Sequence, residues 1–205
     1  NRANIRTTYK VAISGGTPKR LFENYFNTIT NVVENPATGE IYFNESGEAF
    51  NFPTRKRYVG DHNINVKSWS PATGEYKELT SYQGKDTWPM VDREGTLYYV
   101  TDQFNQESNI AKHSAGAAPK QLTSFDHSLQ YPAISHDGSA MVFILEYQIH
   151  HLDLKSGKVT QPQIAIADNN IEVTRSFEKE TPRAVAVSPD GKKFAMSIRG
   201  MLYIS

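Results

Sequence analysis

The segment Trp88-Pro89-Met90-Val91-Asp92-Arg93-Glu94-Gly95 carries the strongest fold signal in the chain. It returns 43 residues later as Tyr131-Pro132-Ala133-Ile134-Ser135-His136-Asp137-Gly138. The tripeptide Leu79-Thr80-Ser81 returns at the same spacing as Leu122-Thr123-Ser124, and a third turn, Ser188-Pro189-Asp190-Gly191, follows after 53 residues. A period in the low forties with about four short strands per unit is typical of β-propeller blades. The repeat therefore predicts a scaffold whose function lies in its loops.

Around this repeat the chain is a succession of short strand patterns. Aromatic and β-branched clusters alternate with Gly, Pro, Asn, Asp and Ser, and no window has the apolar stripe and capping residues of a helix. We predict an all-β fold of four-stranded antiparallel blades, about three full and two partial. The predicted domains are 1–163 for one partial and three full blades, 164–182 for an insert or linker, and 183–205 for a further blade.

Composition narrows the partner classes. Lys plus Arg and Asp plus Glu each number 22, so the net charge is zero and no global field attracts nucleic acid or an anionic membrane. No apolar run approaches the length needed to cross a bilayer, and cysteine is missing, which leaves the compartment open. We therefore expect no nucleic-acid partner and no membrane insertion, and the oligomeric state stays unknown.

The chain ends suggest a piece of something longer. The first residue is Asn1 rather than methionine, and the last five residues, Met201 to Ser205, form an apolar, strand-like run. We therefore expect a fragment of a larger propeller or of two.

No residue pattern points to catalysis, a cofactor or a metal. His150 and His151 are adjacent in a predicted strand and point to opposite faces, so they cannot chelate one ion together. Asp126-His127-Ser128 lists triad residues in a row, but triads assemble from separated segments. Asp137 and Asp190 fall in hairpin turns that favour Asp-Gly for backbone reasons. We predict no catalytic, cofactor or metal residues, and whether the parent is an enzyme stays uncertain.

Three segments carry a family resemblance. The segment 188–195, Ser-Pro-Asp-Gly-Lys-Lys-Phe-Ala, resembles the turn of TolB-type and tricorn-type propeller repeats. The segments Pro119–Thr123 and Gly15–Leu21 are similar to the outer strand of the same repeats. Such repeats occur in TolB-like periplasmic proteins, tricorn-type serine peptidases and relatives of prolyl oligopeptidase. The resemblance is a strong indication of the fold and a weak indication of the activity.

The lengthened third spacing favours the tricorn type. Tricorn-type peptidases resemble two propellers followed by a PDZ-like domain and two catalytic parts. A junction within 165–180 would make 183–205 the opening blade of a second propeller; a long outer loop within one propeller is the equal alternative. The catalytic serine and histidine of that family lie in its later domains, so the resemblance carries none onto this chain.

One long connection, Gly47 to His62, combines aromatic and basic residues. Such residues are enriched at protein interfaces, and loops longer than about a dozen residues are often functional. A mobile or core-covering loop is the alternative. The predicted partner-contact residues of this loop are Phe50, Phe52, Arg55, Lys56, Arg57 and Tyr58.

Together these features predict a non-catalytic propeller segment that guides or docks polypeptides, as part of a tricorn-like serine peptidase. The alternative is a TolB-like periplasmic interaction propeller with no enzymatic domain. Under either reading the partner is a polypeptide or protein. The resemblance implies a periplasmic or otherwise extracytoplasmic location, with the cytoplasm still open.

Overall fold

The computed structural model describes residues 8–22, 28–45, 52, 55–165, 181–198 and 200–205. Within these ranges the chain contains strands and turns but no helix. Blades I and II comprise β1 (Tyr9–Lys10), β2 (Lys19–Arg20), β3 (Ile29–Glu34), β4 (Ile41–Glu45), β5 (Val66–Trp69) and β6 (Tyr76–Glu78). Blades III and IV comprise β7 (Asp86–Val91), β8 (Leu97–Thr101), β9 (Asn109–Lys112), β10 (Lys120–Gln121), β11 (Gln130–Ile134), β12 (Ala140–Leu145), β13 (Gln148–Asp153) and β14 (Val159–Thr160). Blade V comprises β15 (Ala184–Val187), β16 (Phe194–Ile198) and β17 (Met201–Ile204).

Each blade is an antiparallel sheet whose strands pair in chain order. Among the described residues, blades II, III and IV have four strands, blade V has three and blade I has two. The predicted all-β fold of propeller blades, three full and two partial, is confirmed. The chain divides into two compact units, Asn1–Gln163 and Ile164–Ser205, so blades I to IV lie in the first unit and blade V in the second. Most of the predicted insert 164–182 lies outside the described residues.

The repeated Leu-Thr pair ends the outer strand of blades II and III. In blade III the N–H groups of Leu122 and Thr123 both donate to the carbonyl of Ile110, at 2.9 and 3.4 Å, so regular pairing stops there. The Thr123 hydroxyl then accepts the N–H of Ile110 at 2.9 Å. Thr80 makes the same bond to Val66 in blade II, at 3.0 Å. Because the threonine hydroxyl replaces a backbone acceptor, β10 ends at Gln121, before the Leu-Thr pair.

The glycine turns connect neighbouring blades. Gly95 and Gly138 have φ values of 85° and 70°, a region that favours glycine. A Cβ on Gly95 would lie 2.8 Å from the side chain of Asn35 in blade II, and one on Gly138 would lie 2.9 Å from Asp92 in blade III. The N–H of Arg93 also donates to the carbonyl of His136 across this contact, at 2.9 Å. Both glycines are therefore required by close packing as well as by backbone conformation.

The hydrophobic core lies between the blades. Blades II and III bury one cluster between them, which contains Tyr42, Val66, Val91, Leu97, Tyr99 and Ala111. Blades III and IV bury a larger one, which contains Met90, Tyr98, Val100, Ile110, Leu129, Met141, Phe143, Leu145 and Leu152. Blade III packs through both faces, so every residue of β8 is buried, whereas β12 of blade IV alternates between buried and more exposed residues.

The first strand of each full blade contains a bulge at the same place. Asn31, Trp88 and Tyr131 have φ near 50°, and the strand register shifts at each of them. The buried side chain of Asn44 holds the second bulge, since its Oδ1 accepts the N–H of Trp88 at 3.0 Å. Its Nδ2 donates to the carbonyl of Asp86 at 3.1 Å. A side chain of blade II thus fixes the start of blade III.

Candidate functional site

The predicted partner-contact loop lies in the connection between β4 and β5. Phe50 lies outside the described residues. Phe52 is exposed, as are Arg55, Lys56 and Arg57, and Tyr58 is half-buried. The structure thus brings the five described members of the set together on one segment.

A buried carboxylate in blade III binds this loop. The side chain of Glu107, in the connection between β8 and β9, is 10% exposed. Its Oε2 lies 2.7 Å from Nζ of Lys56, and its Oε1 lies 3.6 Å from the guanidinium of Arg57. The hydroxyl of Ser128, just before blade IV, donates to Oε2 at 2.6 Å. We call these four residues the Glu107 cluster, and they join the loop of blade II to blades III and IV.

The electrostatics of the Glu107 cluster favour the ionised carboxylate. Burial alone would raise the pKa of Glu107. Hydrogen bonds from Lys56 and Ser128, together with the charges of Lys56 and Arg57, outweigh burial and lower that pKa. A carboxylate that accepts several charge-assisted hydrogen bonds is held ionised and in a fixed orientation. The Glu107 cluster therefore keeps the loop attached to blade III at neutral pH.

The other half of the loop forms an aromatic and cationic stack. The guanidinium carbon of Arg55 lies 4.8 Å from the ring centre of Tyr58 and 5.7 Å from that of Phe52. The carbonyl of Phe52 accepts a hydrogen bond from Nζ of Lys85 at 3.2 Å, which ties the stack to the start of blade III. We call Phe52, Arg55 and Tyr58 the Arg55 stack. It places two aromatic faces and a cation at the surface.

The space beneath the loop is too small for a ligand. A pocket of about 20 Å³ lies there, lined by Arg55, Lys56, Lys85, Trp88 and Asp102 among others. That volume holds about one water molecule. Any binding at this place therefore uses the outer surface of the loop.

The adjacent residues Asp126, His127 and Ser128 do not form a catalytic arrangement. Nε2 of His127 lies 3.4 Å from Oε1 of Glu146, and both side chains are exposed. The hydroxyl of Ser128 donates instead to Glu107 and accepts the N–H of Ser108 at 3.0 Å. The histidine and the serine therefore work in different contacts.

The turn carboxylates bond within their own hairpins. Oδ1 of Asp137 accepts from the hydroxyls of Ser135 and Ser139, and these bonds lower the pKa of Asp137 to about 2. Asp190 bonds to Ser188 and to the N–H of Lys192 in the same way. In the part of the chain that the structure describes, no group of three or more His, Cys, Asp or Glu residues could hold a metal ion.

Sequence reasoning missed Glu107 and Ser128. Both lie in segments that read as polar turns, and Glu107 is 51 residues from Lys56 along the chain. Loop composition alone does not identify a partner at that distance.

The described residues include no helix that is long and apolar enough to cross a bilayer.

Comparison with known proteins identifies the fold. No family model matches the sequence, and no curated protein matches it. The crystal structure of the tricorn protease matches with a TM-score of 0.59 and 18% identity, over 98% of this chain and 18% of that chain. A chain described as TolB from Agrobacterium tumefaciens matches with a TM-score of 0.57 and 16% identity, over 76% of this chain and 55% of that chain.

A third match comes from the nidogen/laminin complex, with a TM-score of 0.52 and 10% identity, over 87% of this chain and 60% of that chain. The chain spans less than two thirds of the length of each of these three structures. At these identities the likeness shows the fold alone. It confirms that these are propeller blades of the kind found in TolB and the tricorn protease.

Proposed function

We propose that this chain is a non-catalytic propeller segment that guides or docks polypeptides. The observation that carries the proposal is the Arg55 stack, an exposed aromatic and cationic surface that the neighbouring Glu107 cluster fixes to blade III. A surface that is already ordered loses little conformational entropy when a partner binds. Aromatic side chains and arginine are also the types most enriched at interfaces.

The chemistry of the stack suits an extended polypeptide. Carbonyl and carboxylate oxygens of a bound chain accept hydrogen bonds from guanidinium N–H groups, and the fork geometry of arginine favours two at once. The faces of Phe52 and Tyr58 offer apolar contact beside the cation. Because the contacts involve the backbone as much as the side chains of the partner, we expect broad sequence tolerance.

We propose further that the parent protein is a tricorn-like serine peptidase. The support is the resemblance of the segment 188–195 and of the outer strands to tricorn-type repeats. In that arrangement 164–182 is the link between two propellers and 183–205 opens the second. The alternative parent is a TolB-like interaction propeller with no enzymatic domain. For the TolB-like arrangement we propose a periplasmic or otherwise extracytoplasmic location, with the cytoplasm still open.

The docking proposal is tested by fluorescence anisotropy with fluorescein-labelled casein, an unfolded acidic polypeptide. The double substitution Arg55→Ala with Tyr58→Ala should weaken binding by about tenfold, the effect of losing an interfacial anchor worth about 1.4 kcal/mol. The matched control is Tyr147→Ala with Lys155→Ala, an exposed aromatic and basic pair in blade IV. It should leave the affinity unchanged.

Two results would contradict the proposal. Equal affinity of the double variant and the unmodified protein, also after removal of 48–61, would show that the loop does not dock polypeptides. Turnover of the casein by the purified chain would show that the segment is itself catalytic.

A further inference from the structure

A cleft lies between blades II and III in the first unit, and it is larger than the pocket beneath the loop. Its volume is about 610 Å³, within the usual size range of ligand sites. Its walls are the segment 79–82 after blade II, Asp86 and Tyr99 of blade III, Gln103, and the turn 113–119 between β9 and β10. We call it the Asp86 cleft.

Asp86 stands where the repeat places an apolar residue. The equivalent position 43 residues later is Leu129, which is fully buried in the core between blades III and IV. The two residues make the same backbone bond, since the N–H of Asp86 donates to Ile64 at 2.8 Å and that of Leu129 donates to Ser108 at 3.1 Å. The blade architecture therefore accepts a leucine here. A buried carboxyl at the same place costs free energy that the fold does not require.

The carboxyl of Asp86 is incompletely satisfied. The residue is 1% exposed, and its Oδ1 has no hydrogen-bond partner among the described residues. Burial raises the pKa of Asp86 to about 6, although side-chain hydrogen bonds from Thr101 and Thr80 oppose the shift. The nearby charge of Asp102 raises that pKa further. A buried polar atom without a partner calls for an explanation.

The remaining lining is aromatic, polar and without a cation. The lining residues include no lysine or arginine. Burial raises the pKa of both Tyr99 and Tyr82, and the charge of Asp86 adds to the shift in each, so both hydroxyls stay neutral near this carboxylate. Burial lowers the pKa of His113, which therefore adds no charge at neutral pH. The cleft thus has one buried negative charge and neutral, partly aromatic walls.

We propose that the Asp86 cleft binds the side chain of a lysine or arginine from a docked polypeptide. The ammonium or guanidinium is attracted by the carboxylate of Asp86, which lines the cleft, and its hydrocarbon stem packs against Tyr82, Tyr99 and the turn 117–119. Cations are attracted both by a desolvated carboxylate and by aromatic faces. The cleft is large enough for the side chain and part of its backbone. This inference rests on the proposed docking function and adds a specificity for basic residues.

The test is a chemical-shift titration of the ¹⁵N-labelled protein with Ac-Gly-Ala-Lys-Ala-Gly-NH₂ and its arginine and norleucine analogues. The lysine and arginine peptides should shift amides in 79–82 and 113–118. The norleucine peptide should bind at least about tenfold more weakly. Equal binding of all three peptides would overturn the proposal.

Substitutions locate the binding group. Asp86→Leu copies the residue at position 129 and should fold, with loss of lysine-peptide binding; Asp86→Asn gives the same readout with nearly unchanged shape. Asp137→Asn, an exposed turn carboxylate, is the matched control and should bind the peptide normally. Retention of lysine-peptide binding by folded Asp86→Leu would also overturn the proposal.

The pH dependence gives an independent readout. Affinity for the lysine peptide should rise between pH 5 and 7.5 as Asp86 ionises, with a midpoint near its pKa of about 6. The titratable groups that face it are Asp102, Tyr82, Tyr99 and His113. The profile should persist in His113→Gln and Asp102→Asn. A profile that disappears in His113→Gln would assign the effect to the histidine and contradict the proposal.

Casein binding separates the two proposals. If the unmodified protein binds casein but does not distinguish lysine from norleucine peptides, only the Asp86 inference fails. If casein does not bind at all, the docking function fails whatever the peptides do.

Discussion

Asn44 shows how one side chain can set the geometry between two blades. It is fully buried, and its amide bonds to the N–H of Trp88, the carbonyl of Asp86 and the carbonyl of Asn65. The equivalent ladder positions of blades III and IV hold Val100 and Ile144. The polar residue is thus specific to the boundary between blades II and III, next to both candidate sites.

Replacing Asn44 by alanine should destabilise the protein by about 3 kcal/mol. The substitution leaves three backbone groups without a partner, and each unsatisfied buried group costs roughly 1–3 kcal/mol before relaxation. Urea denaturation followed by tryptophan fluorescence measures the change. Thr73→Ala, which removes a bond in an exposed turn, is the control and should cost under about 0.5 kcal/mol. A loss for Asn44→Ala no larger than that of the control would contradict this role.

At the scale of the element, the connection between β4 and β5 depends on a partner in another blade. Three groups converge on Glu107, and two of them, Lys56 and Arg57, belong to the loop. A long connection opens locally more easily than a strand unless contacts hold it. The Glu107 cluster and the hydrogen bond from Lys85 to the carbonyl of Phe52 therefore hold this loop to blade III.

Glu107→Gln should increase cleavage of the loop by trypsin, several-fold under native conditions. The substitution removes the negative charge that pairs with both basic residues, so the peptide bonds after Lys56 and Arg57 open to the protease more often. Cleavage rates are read by gel electrophoresis and mass spectrometry of the fragments. Glu75→Gln, which breaks an exposed pair with Lys77, is the matched control. Equal rates in both variants would show that Glu107 does not hold the loop.

At the scale of the whole molecule, Asp86 couples global stability to pH. Its pKa of about 6 in the folded protein lies above the ordinary 3.8, so the folded state retains a proton that the unfolded state loses. Stability is therefore highest at low pH with respect to this group and falls as pH rises through the window from about 4 to 6. The rise in the pKa of Asp86 from 3.8 to about 6 corresponds to roughly 3 kcal/mol.

Asp86→Leu should remove most of this dependence. Urea unfolding at pH 4.5 and 7.5 should show the variant more stable than the unmodified protein at pH 7.5, with a smaller gap at pH 4.5. A slope should remain because burial also raises the pKa of Asp102. Asp137→Asn is the control, because the pKa of Asp137 is lowered and its carboxyl stays ionised in the folded protein between pH 4.5 and 7.5. A variant that is less stable at pH 7.5 would contradict this reading of Asp86.

Much of the fold could be predicted from the sequence because the repeated residues determine the conformation of the backbone next to them. Glycine turns, short β-branched runs and the Leu-Thr pair each act on neighbouring backbone, so their spacing reports the blades directly. The Leu-Thr pair was recognised as a repeat, but its role in closing the outer strand depends on a bond to another strand.

The candidate sites were only partly predictable. The composition of the loop indicated Arg55 and its neighbours, whereas Glu107 is remote in sequence and ordinary in type. The signal for Asp86 was present, since the 43-residue offset aligns it with Leu129. That contrast acquires meaning only once both positions are known to be buried. Phe50 and most of 164–182 lie outside the described residues, so their roles stay predictions.

The packing of Gly95 on Asn35, and of Gly138 on Asp92, gives the array a polarity. The turn of blade III presents Gly95 to blade II and Asp92 to blade IV, so the two sides of this blade are not interchangeable. Contacts of this head-to-tail kind can be repeated indefinitely, unlike self-complementary ones. A duplicated blade would therefore already contain both surfaces that contact neighbouring blades. Such a chain could thus lengthen by one blade at a time.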